Sequence, residues 1–359
     1  MSGSLSVEGR LQPVMGPHRQ AGAQARAQAV AQAGAQTVRG WSRRFDAGLR
    51  RALWVAGWGL AVLGALTLCA PAGAAEIVFT DDAGRLHRLP GPAQRVVTLA
   101  PHLTELVYAV GGGAQMVATV GASDHPAEAR ALPRIGDHAR FDVERLLLLK
   151  PDLVLAWFSG NPDRELRALE AAGLRVVRLE SQRLAEVPAS LERVGRLLGR
   201  EAQGLREAGR LRAALEALRT HHADAVPLRV FYQVWSQPLL TLNGRHLISD
   251  VLALCGGRNV FASLSPLVPP VSTEAVLVAD PEVVMTADDR ARGGWSRAPG
   301  APEFAVWAAA RQLSASRHGA FFRIDADLLA RAGPRIDQGA QAACEVLDAA
   351  RRDRRGAPP

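Results

Sequence analysis

Short apolar runs alternate with stretches of helical spacing through residues 94–180. The runs RVVTLA, MVATVG, LVLAW and RVVRLE have the length and the β-branched content of buried strands. Between them, the spacing of apolar residues predicts helices at Pro101–Val110, Val143–Leu149 and Arg164–Ala172. Such alternation is typical of parallel strands joined by helical crossovers. A hairpin, IVFTDDAGRLHRL, is predicted before the first strand.

A helical segment interrupts this alternation between residues 185 and 223. Its residues are mainly Ala, Leu, Arg and Glu, and it contains no strand-like run. We therefore predict two helices, the second about 20 residues long. The run LRVFYQVW then starts a second alternating series, which continues to the C-terminus.

The two alternating series repeat each other. In TELVYAVGG and SDVLALCGG, Glu105 and Asp250 each stand six residues before a glycine. In ERLLLLKPDLVLA and EAVLVADPEVVMT, Glu144 and Glu274 each stand seven residues before a proline. This internal repeat predicts an α/β fold of two similar lobes, each a parallel-rich sheet flanked by helices, joined by one long, rigid inter-lobe helix. A ligand-binding crevice is expected between the lobes.

Charge and composition indicate an export signal at the N-terminus. The chain is 48% hydrophobic and has a net charge of +8, of which residues 1–75 carry +6, so a basic nucleic-acid-binding body is disfavoured. Four arginines at residues 43–51 precede the uncharged stretch Ala52–Ala75, which is typical of a signal peptide cleaved near Ala74 or Ala75. An uncleaved membrane anchor is the alternative. We therefore predict a periplasmic mature protein.

These patterns divide the chain into six segments. They are a low-complexity leader rich in Ala-Gln (1–42), a signal peptide (43–75), an N-terminal α/β lobe (76–184), a helical connector with the inter-lobe helix (185–226), a C-terminal α/β lobe (227–351) and a disordered tail (352–359). The mature chain keeps Cys255 and Cys344, for which the oxidising compartment favours a disulfide over two buried thiols.

Sequence signatures of enzymes and of metal sites are absent. Lys150 is the only lysine of the chain and lies in LLKPD, so no GxxxxGK phosphate-binding loop exists, and GxGxxG and GxSxG are also missing. His221 and His222 are adjacent at the end of a predicted helix, where we expect their side chains to diverge into solvent. We therefore predict no catalytic residue, no metal site and no cofactor.

Aromatic and imidazole residues concentrate in loops that follow predicted strands or precede predicted helices. Each alone is typical of a half-buried loop residue, but together they would line the crevice and hold a flat apolar ligand. These candidate ligand-binding residues are His102, His125, His138, Phe141, Trp157 and Trp235.

Glu144 and Glu274 allow two interpretations. A carboxylate in the first turn of a helix is stabilised by the helix dipole. Alternatively, exposed acids at equivalent places of two lobes suit a two-fold partner that carries arginines. The residues alone favour neither interpretation.

Four motifs resemble those of the periplasmic cobalamin-binding proteins of vitamin B12 ABC importers, within the helical-backbone metal-receptor type of substrate-binding protein. They are RVVTLAPHLTELVYAVG, ERLLLLKPDLVLAW followed by GN, VFYQVWSQPLLTLNGRHLISDVLALCGGRNVF and VPPVSTEAVL, and the resemblance covers residues 94–350. It implies two lobes bridged by a rigid helix, a corrinoid between them and little hinge closure. It also implies that Glu144 and Glu274 meet arginines of the permease, and that Cys255 and Cys344 form the family's disulfide.

The sequence departs from the family pattern at several ring positions. Trp157 matches a tryptophan that contacts the corrin, but His125 replaces a tyrosine, and His138, Val268 and Leu328 replace tryptophans. Relatives carry haem or ferric siderophores, and an imidazole can ligate iron or cobalt axially, which makes haem the second choice. A siderophore pocket would need crevice arginines, for which the candidates are Arg140, Arg245 and Arg335.

We therefore expect a non-enzymatic periplasmic receptor that acts as a monomer. It would capture a cobalamin-like corrinoid and deliver it to an inner-membrane ABC permease and its ATPase. A haem or ferric-siderophore receptor of the same fold is the alternative. The rival from another class is an exported two-lobe cleft enzyme, which no convergent acid, base and nucleophile supports.

Overall fold

The N-terminal lobe consists of an antiparallel hairpin and a four-stranded parallel sheet. The structure is a computed structural model and describes residues 76–356. The hairpin strands are β1 (Ile77–Thr80) and β2 (Leu86–Leu89). The sheet strands are β3 (Val96–Thr98), β4 (Met116–Thr119), β5 (Leu153–Trp157) and β6 (Val176–Leu179), in the order β4-β3-β5-β6. Helices α1 (Pro101–Ala109), α2 (Val143–Leu149) and α3 (Asp163–Ala171) connect these strands. The predicted parallel alternation is confirmed.

Two helices form the segment that follows the first sheet. They are α4 (Glu186–Leu197) and α5 (Glu201–His221), and α5 has 21 residues, close to the predicted length. The two helices approach closely at Gly204, where an added Cβ would lie 2.8 Å from the carbonyl oxygen of Leu191. Because α4 packs against α1 and α5 packs against the last helix of the chain, this helical hairpin contacts both lobes.

The C-terminal lobe repeats the parallel sheet and adds one antiparallel edge strand. Its strands are β7 (Leu228–Tyr232), β8 (Trp235–Ser236), β9 (Leu239–Leu240), β10 (Gly257–Asn259), β11 (Val283–Ala287), β12 (Trp295–Arg297) and β13 (Phe321–Ile324). The sheet order is β10-β7-β11-β13-β12, and β8 and β9 form a separate hairpin. The helices are α6 (Leu247–Leu254), α7 (Thr273–Ala279), α8 (Ala305–Ala309), α9 (Ser314–Arg317), α10 (Ala326–Leu329) and α11 (Ile336–Gly356).

The internal repeat predicted from the sequence is confirmed in detail. Both sheets place their strands in the same order, so that β3, β4, β5 and β6 correspond to β7, β10, β11 and β13. Helix α2 begins at an Asp142 cap and α7 at a Ser272 cap. Both helices end in the left-handed conformation, with φ of 47° at Lys150 and 39° at Asp280. Helices α2 and α7 are therefore structural equivalents.

One buried apolar cluster extends through both lobes and the helical hairpin between them. It includes Leu103 of α1, Leu191 of α4, Leu211 of α5, Val251 of α6 and Leu347 of α11. Since burial of apolar side chains is the main stabilising contribution in a folded protein, separating the lobes would expose part of this core. The two lobes and the helical hairpin therefore share one core.

The structure differs from the predicted segments at the C-terminus. Helix α11 extends to Gly356, five residues into the segment predicted to be a disordered tail. Two ion pairs anchor this last turn to the C-terminal lobe, from Arg354 to Glu282 at 2.8 Å and from Asp353 to Arg297. The predicted leader and signal peptide lie outside the described residues. Among residues 76–356, no helix has both the length and the apolar character needed to cross a bilayer.

The two mature cysteines form the predicted disulfide. Cys255, at the end of α6, is bonded to Cys344 of α11, with their Cα atoms 4.9 Å apart. Both residues are buried. The bridge therefore fixes α11 to the same lobe that its ion pairs hold.

Candidate functional site

Three of the rings predicted to line the crevice lie at the carboxyl ends of parallel strands. In the N-terminal lobe, Trp157 ends β5 and His102 follows the neighbouring strand β3. Their rings meet edge to face, with centroids 5.3 Å apart. In the C-terminal lobe, Trp235 follows β7 on the β8-β9 hairpin and is 62% exposed. The lobes approach each other here, because a Cβ added to Gly333 would lie 3.6 Å from the Cβ of His102. Open α/β sheets bind ligands at such strand ends.

Three residues that were not predicted as site residues position the Trp157 indole. Glu180 Oε1 accepts from Trp157 Nε1 at 3.3 Å, and Asn161 Oδ1 accepts from its backbone N–H at 2.7 Å. Gly160 leaves room for the ring, since an added Cβ would lie 1.9 Å from Cε3. Asn161 Nδ2 also donates to the carbonyl of Leu99, just after β3, at 3.0 Å. The GN dipeptide of the resembling motif was the sequence signal for this arrangement.

The His102 imidazole, which contacts Trp157, is neutral at pH 7. Burial, followed by the positive charge of Arg331, lowers the pKa of His102 to about 4. At pH 7 the ring therefore has one protonated and one unprotonated nitrogen. Such a ring can contact an uncharged ligand face or ligate a metal through the free nitrogen.

The same pKa shift predicts a loss of stability in acid. Below pH 6.5 the unfolded chain binds a proton that folded His102 does not accept until about pH 4, so the free energy of unfolding should fall as the pH drops through this window. We expect His102→Gln to reduce the loss between pH 7 and pH 4.5 by about 2–3 kcal/mol. Urea unfolding at both pH values measures it. His125→Gln, at an exposed position, is the control. An acid loss equal in His102→Gln and wild type would contradict the prediction.

The other predicted ring residues differ in their placement. His125 is exposed after β4 and lines a cavity of about 520 Å³ between the lobes. His138 is exposed, and its carbonyl accepts from Asn161 Nδ2 at 2.8 Å. Phe141, also predicted to line the crevice, is buried in the apolar core of the N-terminal lobe together with Leu146. The reason is local, because these residues flank the start of α2 at the two positions of a hydrophobic staple.

Glu105, one turn after His102 in α1, is buried and joins the two lobes. Its Oε1 accepts from Arg335 at 2.6 Å and from Arg331 at 3.1 Å, and its Oε2 accepts from Arg335 Nε at 2.8 Å. Arg331 also donates to Asp124 of the N-terminal lobe at 3.0 Å. Two arginines of the C-terminal lobe therefore bind carboxylates of the N-terminal lobe beside the cleft.

Asp250 makes the corresponding contact from the other lobe. Its Oδ1 lies 2.6 Å from Arg183 Nη2, and its Oδ2 accepts from the backbone N–H of Leu184 at 3.0 Å. Burial raises the pKa of Asp250 despite these partners. The contact borders a cavity of about 940 Å³ between α5 and α6, which none of the predicted ring residues lines. The repeated acidic positions found in the sequence thus both make inter-lobe contacts, a role that was not predicted.

Glu144 and Glu274 lie in the first turns of α2 and α7 and are exposed. Hydrogen bonds from its own backbone N–H and from Ser272 keep the pKa of Glu274 below its usual value. The Glu274 carboxylate is therefore charged at neutral pH, and the side chains of both residues are open to a partner.

The His221–His222 pair is not arranged as predicted. His222 is buried, with Nδ1 2.9 Å from the carbonyl oxygen of Leu218 and Nε2 3.2 Å from Asp348 Oδ2. The expectation that both rings diverge into solvent is wrong for His222. Asp348 also accepts from Arg351 at 2.7 Å, so this group of side chains fastens the end of α5 to α11.

Two of the three arginines proposed to bind an anionic siderophore are hydrogen-bonded to other groups of the protein. Arg335 binds Glu105, and Arg245 donates to the carbonyl of Ser265. Arg140 is exposed in the loop before α2. An anionic siderophore would have to compete with Glu105 for Arg335.

Two equivalent α/β lobes that share one core, with aromatic and imidazole rings at the carboxyl ends of their strands, define a two-lobed ligand-binding protein. The chain matches the periplasmic binding protein family over residues 96–328. It belongs to this family.

Sequence similarity to a vitamin B12-binding protein and structural similarity to two solved periplasmic binding proteins support this assignment. The chain is 36% identical over 263 residues to the vitamin B12-binding protein of Vibrio cholerae serotype O1, which covers 73% of this chain and 92% of the relative. It is similar to the crystal structure of the periplasmic vitamin B12 binding protein BtuF of Vibrio cholerae, with a TM-score of 0.64 over 72% of this chain and 98% of that one. A periplasmic heme binding protein from Pseudomonas aeruginosa is 26% identical, with a TM-score of 0.59 over 70% of this chain and 91% of that one.

Proposed function

We propose that this protein is a periplasmic receptor that captures a cobalamin-like corrinoid between its lobes. The observation that carries the proposal is the Trp157 side chain, whose indole contacts His102 and donates to Glu180, while its backbone N–H donates to Asn161. An aromatic side chain locked in one orientation is a low-entropy contact for a flat ligand face. The names of the Vibrio cholerae relatives support the same ligand class.

The chemistry of the cleft suits a broad, uncharged ligand. A corrinoid has largely apolar faces and a rim of amides, which ring contacts and a few hydrogen bonds can bind. His102 is neutral at pH 7, and Arg335 is paired with Glu105. Binding should therefore depend only weakly on salt.

Haem is the second candidate ligand. The observation that favours it is the neutral imidazole of His102, whose unprotonated nitrogen can ligate iron. The similarity to a heme binding protein from Pseudomonas aeruginosa supports haem as far as the shared fold allows.

Delivery completes the proposed function. We propose that the mature protein acts as a monomer, that it is released by signal cleavage near Ala74 or Ala75, and that Glu144 and Glu274 dock it on arginines of an inner-membrane ABC permease with its ATPase. The two carboxylates are exposed at equivalent places on equivalent helices, as a two-fold partner requires.

Titration of the mature protein with cyanocobalamin, haem and a ferric siderophore tests the ligand. We expect cobalamin heat that changes little with salt, and Trp157→Ala should weaken it by about 1–3 kcal/mol, the cost of losing a central aromatic anchor. Trp295→Ala, on the edge strand β12 of the other lobe, is the control and should leave binding unchanged. If haem binds saturably and the titration with cyanocobalamin releases no heat, the protein is a haem receptor and the corrinoid proposal is wrong.

A further inference from the structure

Two apolar side chains stand out on the surface of the described chain. Val278 is 87% exposed and Leu148 is 82% exposed, whereas the next large apolar residue, Trp235, is 62% exposed. Single exposed apolar residues are common and need no explanation. The matching positions of Leu148 and Val278 in the two lobes, however, do require an explanation.

Leu148 and Val278 occupy the same place on the two equivalent helices. Leu148 follows Glu144 by four residues in α2, and Val278 follows Glu274 by four residues in α7. Residues four apart lie on one face of a helix, about one turn from each other. Each lobe therefore presents an exposed carboxylate and an exposed apolar side chain side by side.

The inner faces of these helices explain why the pair is held rigidly. Leu146 of α2 and Val276 of α7 are fully buried in the cores of their lobes. Their N-terminal caps and left-handed ends also match, as described above. Each carboxylate and apolar pair is thus presented in the same orientation by the same local structure, once per lobe.

Within residues 76–356, neither Glu144 nor Glu274 forms an ion pair with another side chain, although Glu274 accepts hydrogen bonds from its own backbone N–H and from Ser272. The helix dipole accounts for a carboxylate in the first turn but not for an exposed apolar side chain four residues later in both lobes. Repetition of this pair fits recognition by a partner that is itself two-fold symmetric.

We propose that Glu144 with Leu148, and Glu274 with Val278, form the two halves of a docking surface for the two-fold symmetric membrane permease. At each half, a permease cation meets the carboxylate and an apolar depression receives the leucine or valine. This inference rests on the proposed delivery function. The charges steer association, and burial of the two apolar side chains slows dissociation.

The test measures binding kinetics between the mature protein and its permease–ATPase complex in nanodiscs, at low and high salt. Leu148→Ala and Val278→Ala should each raise the dissociation rate about tenfold, and the double variant about a hundredfold, at either salt concentration. Glu144→Gln with Glu274→Gln should instead slow association and reduce its salt dependence. Alanine keeps the helical propensity of both sites.

Matched controls are exposed apolar residues outside these helices. Leu86→Ala on β2 and Val306→Ala on α8 remove side chains that are 61% and 59% exposed, and neither should change the kinetics. Corrinoid affinity and the unfolding midpoint should match wild type in all the apolar variants.

The possible results separate this inference from the proposed function. If the glutamine variants weaken binding but Leu148→Ala and Val278→Ala behave like the controls, the apolar half of the surface is disproved and delivery stands. An effect at only one of the two apolar positions disproves the two-fold arrangement. If the wild-type protein does not bind the permease at all, the proposed delivery itself is wrong.

Discussion

Replacing Glu105 with glutamine should lower the free energy of unfolding by about 3–5 kcal/mol. The substitution keeps the shape of the side chain but removes the charge that binds Arg331 and Arg335, which are 15% and 18% exposed. Arg331 keeps Asp124 and Asp327 as partners, whereas both side-chain hydrogen bonds described for Arg335 go to Glu105. The cost therefore comes mainly from one guanidinium left nearly buried without a counter-charge.

Urea unfolding of the mature protein at pH 7 measures this cost. In the double variant Glu105→Gln with Arg335→Met, no charge is stranded, so it should be more stable than Glu105→Gln alone. Asp250→Asn is the matched control in the other lobe. Its partner Arg183 is 45% exposed, and burial already disfavours the charged form of Asp250. We therefore expect Asp250→Asn to lower the free energy of unfolding by about 1 kcal/mol or less. If Glu105→Gln is as stable as Asp250→Asn, the prediction is wrong, and water must solvate Arg335 in place of the lost carboxylate.

The two inter-lobe contacts bear on how the cleft binds its ligand. Glu105 and Asp250 hold the lobes together at equivalent places, and the shared core runs through the helices between them. A cleft that is already assembled loses little conformational freedom when the ligand enters, which favours affinity. This agrees with the small hinge closure that the family resemblance implies.

Most of the fold could be predicted from the sequence because its signals are local. Runs of β-branched residues mark the buried strands, and helices α2 and α7 each end at a left-handed residue followed by proline, Lys150 and Asp280. The end of α11 could not be predicted in this way. Its charged last turn is typical of a disordered tail, and the ion pairs of Asp353 and Arg354 that hold it involve residues more than fifty positions away.

The site was less predictable, because the sequence does not say which way a ring in a loop points. Phe141 and Trp157 both flank elements at the carboxyl edge of one sheet, yet one is a core residue and the other faces His102. The difference lies in the neighbours. Phe141 packs with Leu146, one turn into α2, in the core of the lobe. Trp157 instead stays at the strand end, where Gly160 leaves room for its ring and Asn161 binds its backbone N–H.

Removal of the disulfide is the second change for which we expect a large effect. Cys255 and Cys344 are 89 residues apart, and a cross-link that closes a loop of this length restricts the unfolded chain by about 4–5 kcal/mol in the loop-entropy account. Measured effects are commonly smaller, so we expect the bridge-free protein to lose about 2–5 kcal/mol.

The most direct comparison uses two forms of the wild-type protein. In one the bridge is intact, and the other has been reduced under denaturing conditions and refolded in reductant. Apart from the bond, the two forms have the same side chains. Urea unfolding of the two forms gives the difference, and Cys255→Ala with Cys344→Ala provides a variant that cannot re-form the bridge. The bond joins α6 to α11 inside one lobe and contacts none of the ring residues of the cleft, so cobalamin affinity of the folded, reduced protein should stay unchanged. Equal unfolding midpoints for the two forms would mean that the ion pairs of α11 and the Asp348–His222 contact already hold this helix without the bond.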